Sequence, residues 1–227
     1  MAQSWIIISL GGSIIVPDHI DVGFLKKFHH LILSLDQYRF VIICGGGETN
    51  RRYNAAAQKL GRPTNDDLDW IGIRSLKLNA ELVRTMFGQV AYPKVIDRPD
   101  DLRRVPKERV VIGASFVPGS SSDLDAVLWA KKFKAERLFN LSNISHVYTA
   151  DPRVDKRAQP VAEMPWSAYR KLVGTTWTPR LNSPFDPIAS REAERLGLSV
   201  VVMDGKNLPN VRQALEGKKF NGTVLHP

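Results

Sequence analysis

The chain has 227 residues, 43% of them hydrophobic and 24% charged, with a formal net charge of +9. That length and apolar content build one large domain with a buried core and exclude a disordered chain. No apolar run approaches the ~20 residues of a membrane span, and the single cysteine, Cys44, excludes an internal disulfide framework and a multi-cysteine metal site.

The N-terminal residues carry no basic segment, and Trp5–Leu10 is too short for the apolar stretch of a signal peptide, so a cytoplasmic protein is expected. Lys and Arg are scattered in short pairs such as Lys26-Lys27, Arg51-Arg52, Lys131-Lys132 and Lys218-Lys219. No helix carries a sustained basic stripe, and no helix-turn-helix, zinc-finger or RNP-type pattern occurs. No nucleic acid and no membrane is therefore read as a partner. The positive balance suits an anionic small substrate, or plain solubility.

In chain order, Ser4–Leu10 reads as a buried strand. Leu25, Phe28, Leu31, Ile32 and Leu35 recur at helical spacing, which predicts a helix over Asp21–Leu35 with Asp21 near its N-cap. A strand over Arg39–Cys44 follows, then a helix over about Thr49–Leu60 closed by Gly61. Arg62–Asn65 reads as loop, and Asp67–Phe87 as a long helix stopped at Gly88. Val110–Ile112 is a short strand, Gly113–Ser122 a loop of small residues, Leu124–Phe133 a helix and Arg137–Leu141 a strand. Pro152–Pro165 and Thr175–Pro184 read as loops. A helix over Ile188–Leu196, a strand over Leu198–Met203, a helix over Leu208–Leu215 and a strand over Thr223–His226 complete the chain. Alternation of strands and helices predicts an α/β fold with a largely parallel central sheet. If two lobes exist, their boundary lies near Asn140–Ala150 and is packed, since no flexible linker divides the chain.

Two glycine-rich turns stand at strand ends: Leu10-Gly11-Gly12-Ser13 and Cys44-Gly45-Gly46-Gly47. Without Cβ atoms, their backbone N–H groups can close on an anion, and a following helix adds its positive dipole end. Neither turn fits G-x-x-x-x-G-K-[ST] or G-x-G-x-x-G. Alone, each is equally a tight strand-to-helix turn; together they could hold two phosphates face to face. Arg51, in the first turns of the next helix, can fork onto a phosphate held there, while Arg52 reads as solvated. Asp69 opens the long helix and could accept hydrogen bonds from a ribose, or simply complement the helix dipole. Gly72 inside that helix suggests close approach by a ligand or another backbone. Pro118–Asp123 is a loop of small donors that could grip a second anion, with Asp123 as the obvious capping residue and Asp125 as an exposed helix carboxylate. Val147–Pro152 sets Tyr148 beside Asp151 in a loop, a pairing able to hold a base on the ring and a ribose on the carboxylate. Cys44, ending a buried strand, reads as core.

These strings together resemble the amino-acid kinase superfamily, and within it the uridylate (UMP) kinases of the archaeal type. The resemblance runs nearly the whole length, through Leu-Gly-Gly-Ser (10–13), the triple glycine with Arg51, Asp-Trp-Ile-Gly-Ile (69–73) and Pro-Gly-Ser-Ser-Ser-Asp (118–123). It continues through Ser-Asn (142–143), Val-Tyr-Thr-Ala-Asp-Pro (147–152), Asp-Pro-Ile-Ala (186–189) and Asn-Gly-Thr-Val (221–224).

The resemblance implies a three-layer α/β/α sandwich of the carbamate kinase-like type forming one domain over 1–227. A phosphate-acceptor lobe would span roughly 1–140 and an ATP lobe roughly 141–227. It implies transfer of the ATP γ-phosphoryl to UMP, with Mg2+ accompanying ATP as co-substrate and no covalent enzyme intermediate. Gly11, Gly12, Ser13 and Asp123 would surround the transferring group. Gly46, Gly47, Arg51, Asp69, Gly72, Ser120, Ser121 and Ser122 would bind UMP, with Ser121-Ser122 standing where the family usually has Thr-Thr. Gly11, Ser142, Asn143, His146, Tyr148 and Asp151 would bind ATP. No residue is assigned as a dedicated metal ligand, and a homo-oligomer, dimer or hexamer, is expected. The Asp67–Phe87 helix and the first helix would supply its apolar contacts. Three positions depart from the pattern. Ser9 stands where many superfamily members have lysine, Ser145-His146 replaces Asp-Gly, and Gly113-Ala114 replaces Gly-Gly. His146 is either a new phosphate donor or an exposed, neutral loop histidine. The alternatives are a non-catalytic nucleotide- or oxyanion-binding relative, or a superfamily kinase acting on another small phosphate or carboxylate.

Overall fold

Strand β1 (Ser4–Leu10) is the axis of the fold, buried from Ile7 to Leu10, and its mostly apolar run suits a strand covered on both faces. In the computed structural model, which describes residues 4–174 and 183–227, β1 leads into a single helical turn, α1 (Gly12–Ile15), and then α2 (Val22–Ser34). After β2 (Tyr38–Cys44) come α3 (Gly47–Leu60), α4 (Asn65–Phe87), β3 (Val110–Gly113), α5 (Ser122–Phe133) and β4 (Arg137–Ser142). Three short strands follow: β5 (Val147–Tyr148), β6 (Pro160–Val161) and β7 (Glu163–Pro165). The chain closes with α6 (Trp166–Val173), α7 (Pro187–Arg195), β8 (Ser199–Asp204), α8 (Leu208–Leu215) and β9 (Thr223–His226).

Seven strands form one sheet in the order β3-β2-β1-β4-β8-β9-β7, parallel except where β8 meets β9. Successive residues alternate between its two faces. Ile8, Ile42 and Ile112 join α2, α4 and α8 in one half of the core, while Ile7, Val41 and Val111 join α5, α6 and α7 in the other. The result is the expected three-layer α/β/α sandwich. Local chemistry sets the helix starts. Asp21 caps α2 through Phe24 N at 2.8 Å, and Thr64 and Asp67 form a reciprocal capping box on α4.

Four local expectations are corrected. Pro152–Pro165 is not wholly loop: β5 pairs with β6 in a separate two-stranded sheet, and β7 adds to the edge of the main sheet beside β9. Tyr148 accordingly sits on a strand rather than in a loop. The helix over Trp166–Val173 was not anticipated; its Trp166 and Tyr169 are fully buried. Gly12–Ile15 forms a helical turn directly after the first glycine turn. The loop expected over Thr175–Pro184 falls largely outside the described residues.

The chain crosses from β1 to β2 on one side and later returns to place β4 on the other, so the strand order reverses at β1. In open parallel sheets, ligands bind beyond the carboxyl ends of the strands at such a reversal. Both glycine turns lie there, packed backbone on backbone. A Cβ on Gly12 would fall 2.0 Å from the Gly47 nitrogen, and one on Gly45 would fall 2.4 Å from the Gly12 nitrogen. Gly11 N donates to Leu141 O at 2.8 Å and Gly45 N to Leu10 O at 2.9 Å, which ties the ends of β1, β2 and β4 together.

Gly12→Ala is therefore expected to cost more than ~3 kcal/mol, since two backbones would have to separate. Gly61→Ala, with no atom within 4 Å of the new Cβ and an extended backbone, should be neutral or slightly stabilising. Urea midpoints of the two variants against the parent chain test this, and equal midpoints would refute it.

Candidate active site

The second glycine turn, the start of α4 and the loop before α5 converge on one cleft at the carboxyl edge of the sheet. Gly46, Asp69, Gly72, Ser120, Ser121 and Ser122 all line it. Asp69 Oδ2 accepts a hydrogen bond from Gly119 N at 2.8 Å, so α4 and the serine loop are held at a fixed separation. Gly47 and Arg51 lie outside this lining. Gly47 takes a left-handed backbone, φ +61°, that turns the chain into α3 over Gly12 and Val16. Arg51 is exposed. Its Nε donates to Glu48 Oε2 at 2.6 Å and its guanidinium reaches Pro17 O at 3.2 Å, strapping α3 to the segment that follows the first turn. Arg52 shares Glu48 at 3.3 Å.

Ser121, not Asp123, caps α5: its Oγ accepts from Leu124 N at 3.2 Å. That leaves the Asp123 carboxylate free for a different set of partners. Ser9 Oγ donates to Asp123 Oδ1 at 3.3 Å, and Asp186 N donates to Asp123 Oδ2 at 3.0 Å. Burial, reinforced by the negative charge of Asp186, raises the Asp123 carboxyl to about 7. Asp186, which caps α7 through Ala189 N at 2.7 Å, is likewise raised by burial. Ser9 thus supplies a neutral donor to Asp123.

Asp125 is not an exposed helix carboxylate. It is 1% exposed, accepts a short hydrogen bond from Ser115 Oγ and a longer one from Ser120 Oγ at 3.4 Å, and burial raises it to about 7. It fastens both ends of the serine loop to α5. Position 125 lies one turn before the buried Trp129 and beside the buried Ala126, so the apolar stripe of α5 turns it inward.

On the other side of the reversal, Gly11 abuts Ser142 at the end of β4. Asn143 is exposed, and Ser142 Oγ accepts from Ile144 N at 3.4 Å. Ser145 and His146 both lean on Tyr148, Ser145 Oγ lying 3.1 Å from its hydroxyl and the histidine ring edge-on at 6.3 Å. His146 is half-buried rather than exposed. Asp151 is exposed and paired with Arg153 at 2.7 Å, an arginine contact that lowers its carboxyl to about 2. Lys206, on the loop after β8, brings a cation to the same edge and reaches Asp21 at 3.4 Å. Cys44 is fully buried, and burial pushes its thiol well above the ordinary range, as befits a core residue. Sequence reasoning missed Asn50, Asn54 and Asn79 around the cleft. Asn79 Nδ2 donates to Gly45 O at 2.8 Å and Gly46 O at 3.1 Å, holding the second turn from behind.

The model of the amino acid kinase family matches residues 4–204 of this chain. The chain belongs to that family. It is 30% identical over 223 residues to the uridylate kinase of Methanospirillum hungatei, covering 97% of this chain and 94% of the relative. It is 30% identical over 227 residues to that of Hyperthermus butylicus, covering 99% of each. Its structure is similar to the crystal structure of uridylate kinase from Archaeoglobus fulgidus, with a TM-score of 0.82, 29% identity, and 97% and 99% of the two chains covered. Among the described residues, no helix is long and apolar enough to cross a membrane.

The buried acids make stability depend on pH in a fixed direction. In the fold, Asp125 keeps its proton to about 7, whereas its ordinary value is 3.8. The native state binds the extra proton between those values, so stability falls as pH rises through that window. Asp125→Asn should raise Tm at pH 8 by several degrees, on the order of 2 kcal/mol, and flatten the decline between pH 4 and 7. Melting curves across that range test it; a variant less stable than the parent at pH 8 would refute it.

Proposed function

We infer that the protein transfers the γ-phosphoryl group of ATP to UMP, giving ADP and UDP, as a cytoplasmic enzyme of pyrimidine nucleotide synthesis. The observation that carries this reading is the cleft in which the second glycine turn, Asp69 and Ser120–Ser122 face one another beside Asp123. It lies in a chain whose full-length relatives are uridylate kinases. In this reading residues up to about 140 form the acceptor lobe and the remainder the ATP lobe. UMP lies along the cleft with its ribose on Asp69, and its phosphate is held by Gly46, Gly47, the serine hydroxyls and Arg51 swung from Glu48. Gly72 admits the Asn50 amide against α4: the amide nitrogen lies 3.4 Å from where a Cβ would stand. ATP lies across Gly11, Ser142, Asn143, His146, Tyr148 and Asp151, with its γ-phosphoryl over Gly11, Gly12 and Ser13.

No side chain has to form a covalent bond. In this reading the interlocked turns offer backbone N–H groups to the two anions, and such positioning and charge stabilisation account for rate in these transfers. Magnesium bound with ATP would supply charge neutralisation for the transferring group. The donor set suits it: Asp123 and Asp186 are crowded carboxyls, both raised by burial, and a cation would relieve that cost. These two would hold it, with the phosphates supplying the remaining oxygens. A homo-oligomer, dimer or hexamer, fits the exposed Tyr53, Trp70 and Leu78 on the outer face of α3 and α4.

ADP release from ATP and magnesium should be selective for UMP when UMP, CMP, AMP, GMP and dUMP are offered singly. Asp123→Asn should lower kcat at least 100-fold with little loss of stability, and Arg51→Ala should raise KM for UMP about tenfold. Silence with every acceptor, alongside clear ATP binding by calorimetry, would instead indicate a binding relative that kept the fold.

A further inference from the structure

Helix α3 is polar and largely exposed, and Asn54 is its one buried residue, 4% accessible. Asn50 lies one turn earlier on the same face. Both line the acceptor cleft, together with Leu68, Ile73 and Leu76 of α4. The side-chain oxygen of each asparagine is buried and without a hydrogen-bond partner. Buried amide groups are paired as a rule, and leaving one unpaired opposes folding. The third asparagine of this region, Asn79, spends its amide on Gly45 and Gly46. The two unpartnered amide oxygens belong to the two asparagines of α3 that line the cleft.

A cleft lined by apolar residues of α4 and by amides of α3 suits a flat heterocycle with a polar edge. The unpaired groups are acceptors, so the edge they fit carries a donor. A carboxamide offers an acceptor and a donor side by side, the complement of a ring N–H next to a carbonyl. Uracil has that edge; neutral cytosine presents a bare ring nitrogen at the same place. We propose that Asn54, supported by Asn50, is the specificity-determining residue of the acceptor cleft, pairing its amide with the imide edge of a uracil base. This rests on the reading of the cleft as a nucleoside monophosphate site.

The test compares the parent chain with Asn54→Leu and Asn54→Ala. The readings are kcat/KM for UMP and CMP, KM for ATP, and Tm. The expected result is a fall of at least tenfold in the UMP-to-CMP ratio of kcat/KM in each folded variant. KM for ATP should stay within twofold, and Tm should be no lower for the leucine variant, which replaces an unpaired polar group by an apolar one. Site-built hydrogen bonds discriminate on this scale or beyond. An unchanged ratio in a folded variant would overturn the proposal and leave the uridylate kinase reading intact. A parent chain that takes UMP and CMP equally would overturn the proposal and, with it, the UMP selectivity expected of the acceptor cleft. A parent chain that phosphorylates neither would overturn both. Failure of both variants to fold would make Asn54 a structural group and overturn the proposal alone.

Discussion

Everything at the ligand edge of this molecule depends on one contact between two stretches of bare backbone. Gly12 and the Gly45–Gly47 turn approach so closely that no Cβ can be inserted between them. The contact fixes the ends of β1 and β2 relative to each other. Through Gly11 N and Leu141 O it also fixes the end of β4. Because main-chain atoms make it, the alignment does not rely on rotamers. Two neighbouring peptide-lined turns can then meet two anions without rearrangement, which is what reaction by positioning requires.

The acidic side chains around this edge carry a different kind of constraint. Asp123, Asp125 and Asp186 are held where burial opposes their charge. Their partners are mostly neutral: Ser9, Ser115, Ser120 and backbone N–H groups. Burial thus favours the protonated form of these acids, and a cation beside them would favour the charged form. The hydroxyl at Ser9 belongs to the same balance, since it bonds Asp123 without neutralising it.

Much of the fold was legible because its signals are strong and local. Apolar strands ending in glycine turns, the Asp21 cap and the spacing of the α2 core residues each point one way, and the structure follows them. What escaped was short or two-sided. β6 and β7 hold two and three residues, too few for a period to show, and α6 begins directly after Pro165 with no capping side chain. The site was legible where residue type restricts the options, as with glycine turns and a serine loop. It was not legible where a polar residue lies in a polar helix: nothing in the spacing of Asn50 or Asn54 says which face turns inward, whereas Asp125 stands one turn before Trp129 in the apolar stripe of α5. Asp123 was misjudged for a related reason, as two adjacent candidates, Ser121 and Asp123, could each cap α5, and only the backbone decides between them.

The strand order also bears on how the chain comes into being. β1 is made first, yet its second neighbour, β4, begins at Arg137, more than a hundred residues later. During synthesis, β1, β2 and β3 can pair while one flank of β1, among the most apolar strands of the protein, still lacks its hydrogen-bonding partner. Such an open edge invites pairing with other chains. The α2 and α4 helices cover one face of the early sheet but not this flank. The nascent chain is therefore most exposed to misassociation in the interval before residues 137–142 emerge, a burden that follows from placing the earliest strand at the centre.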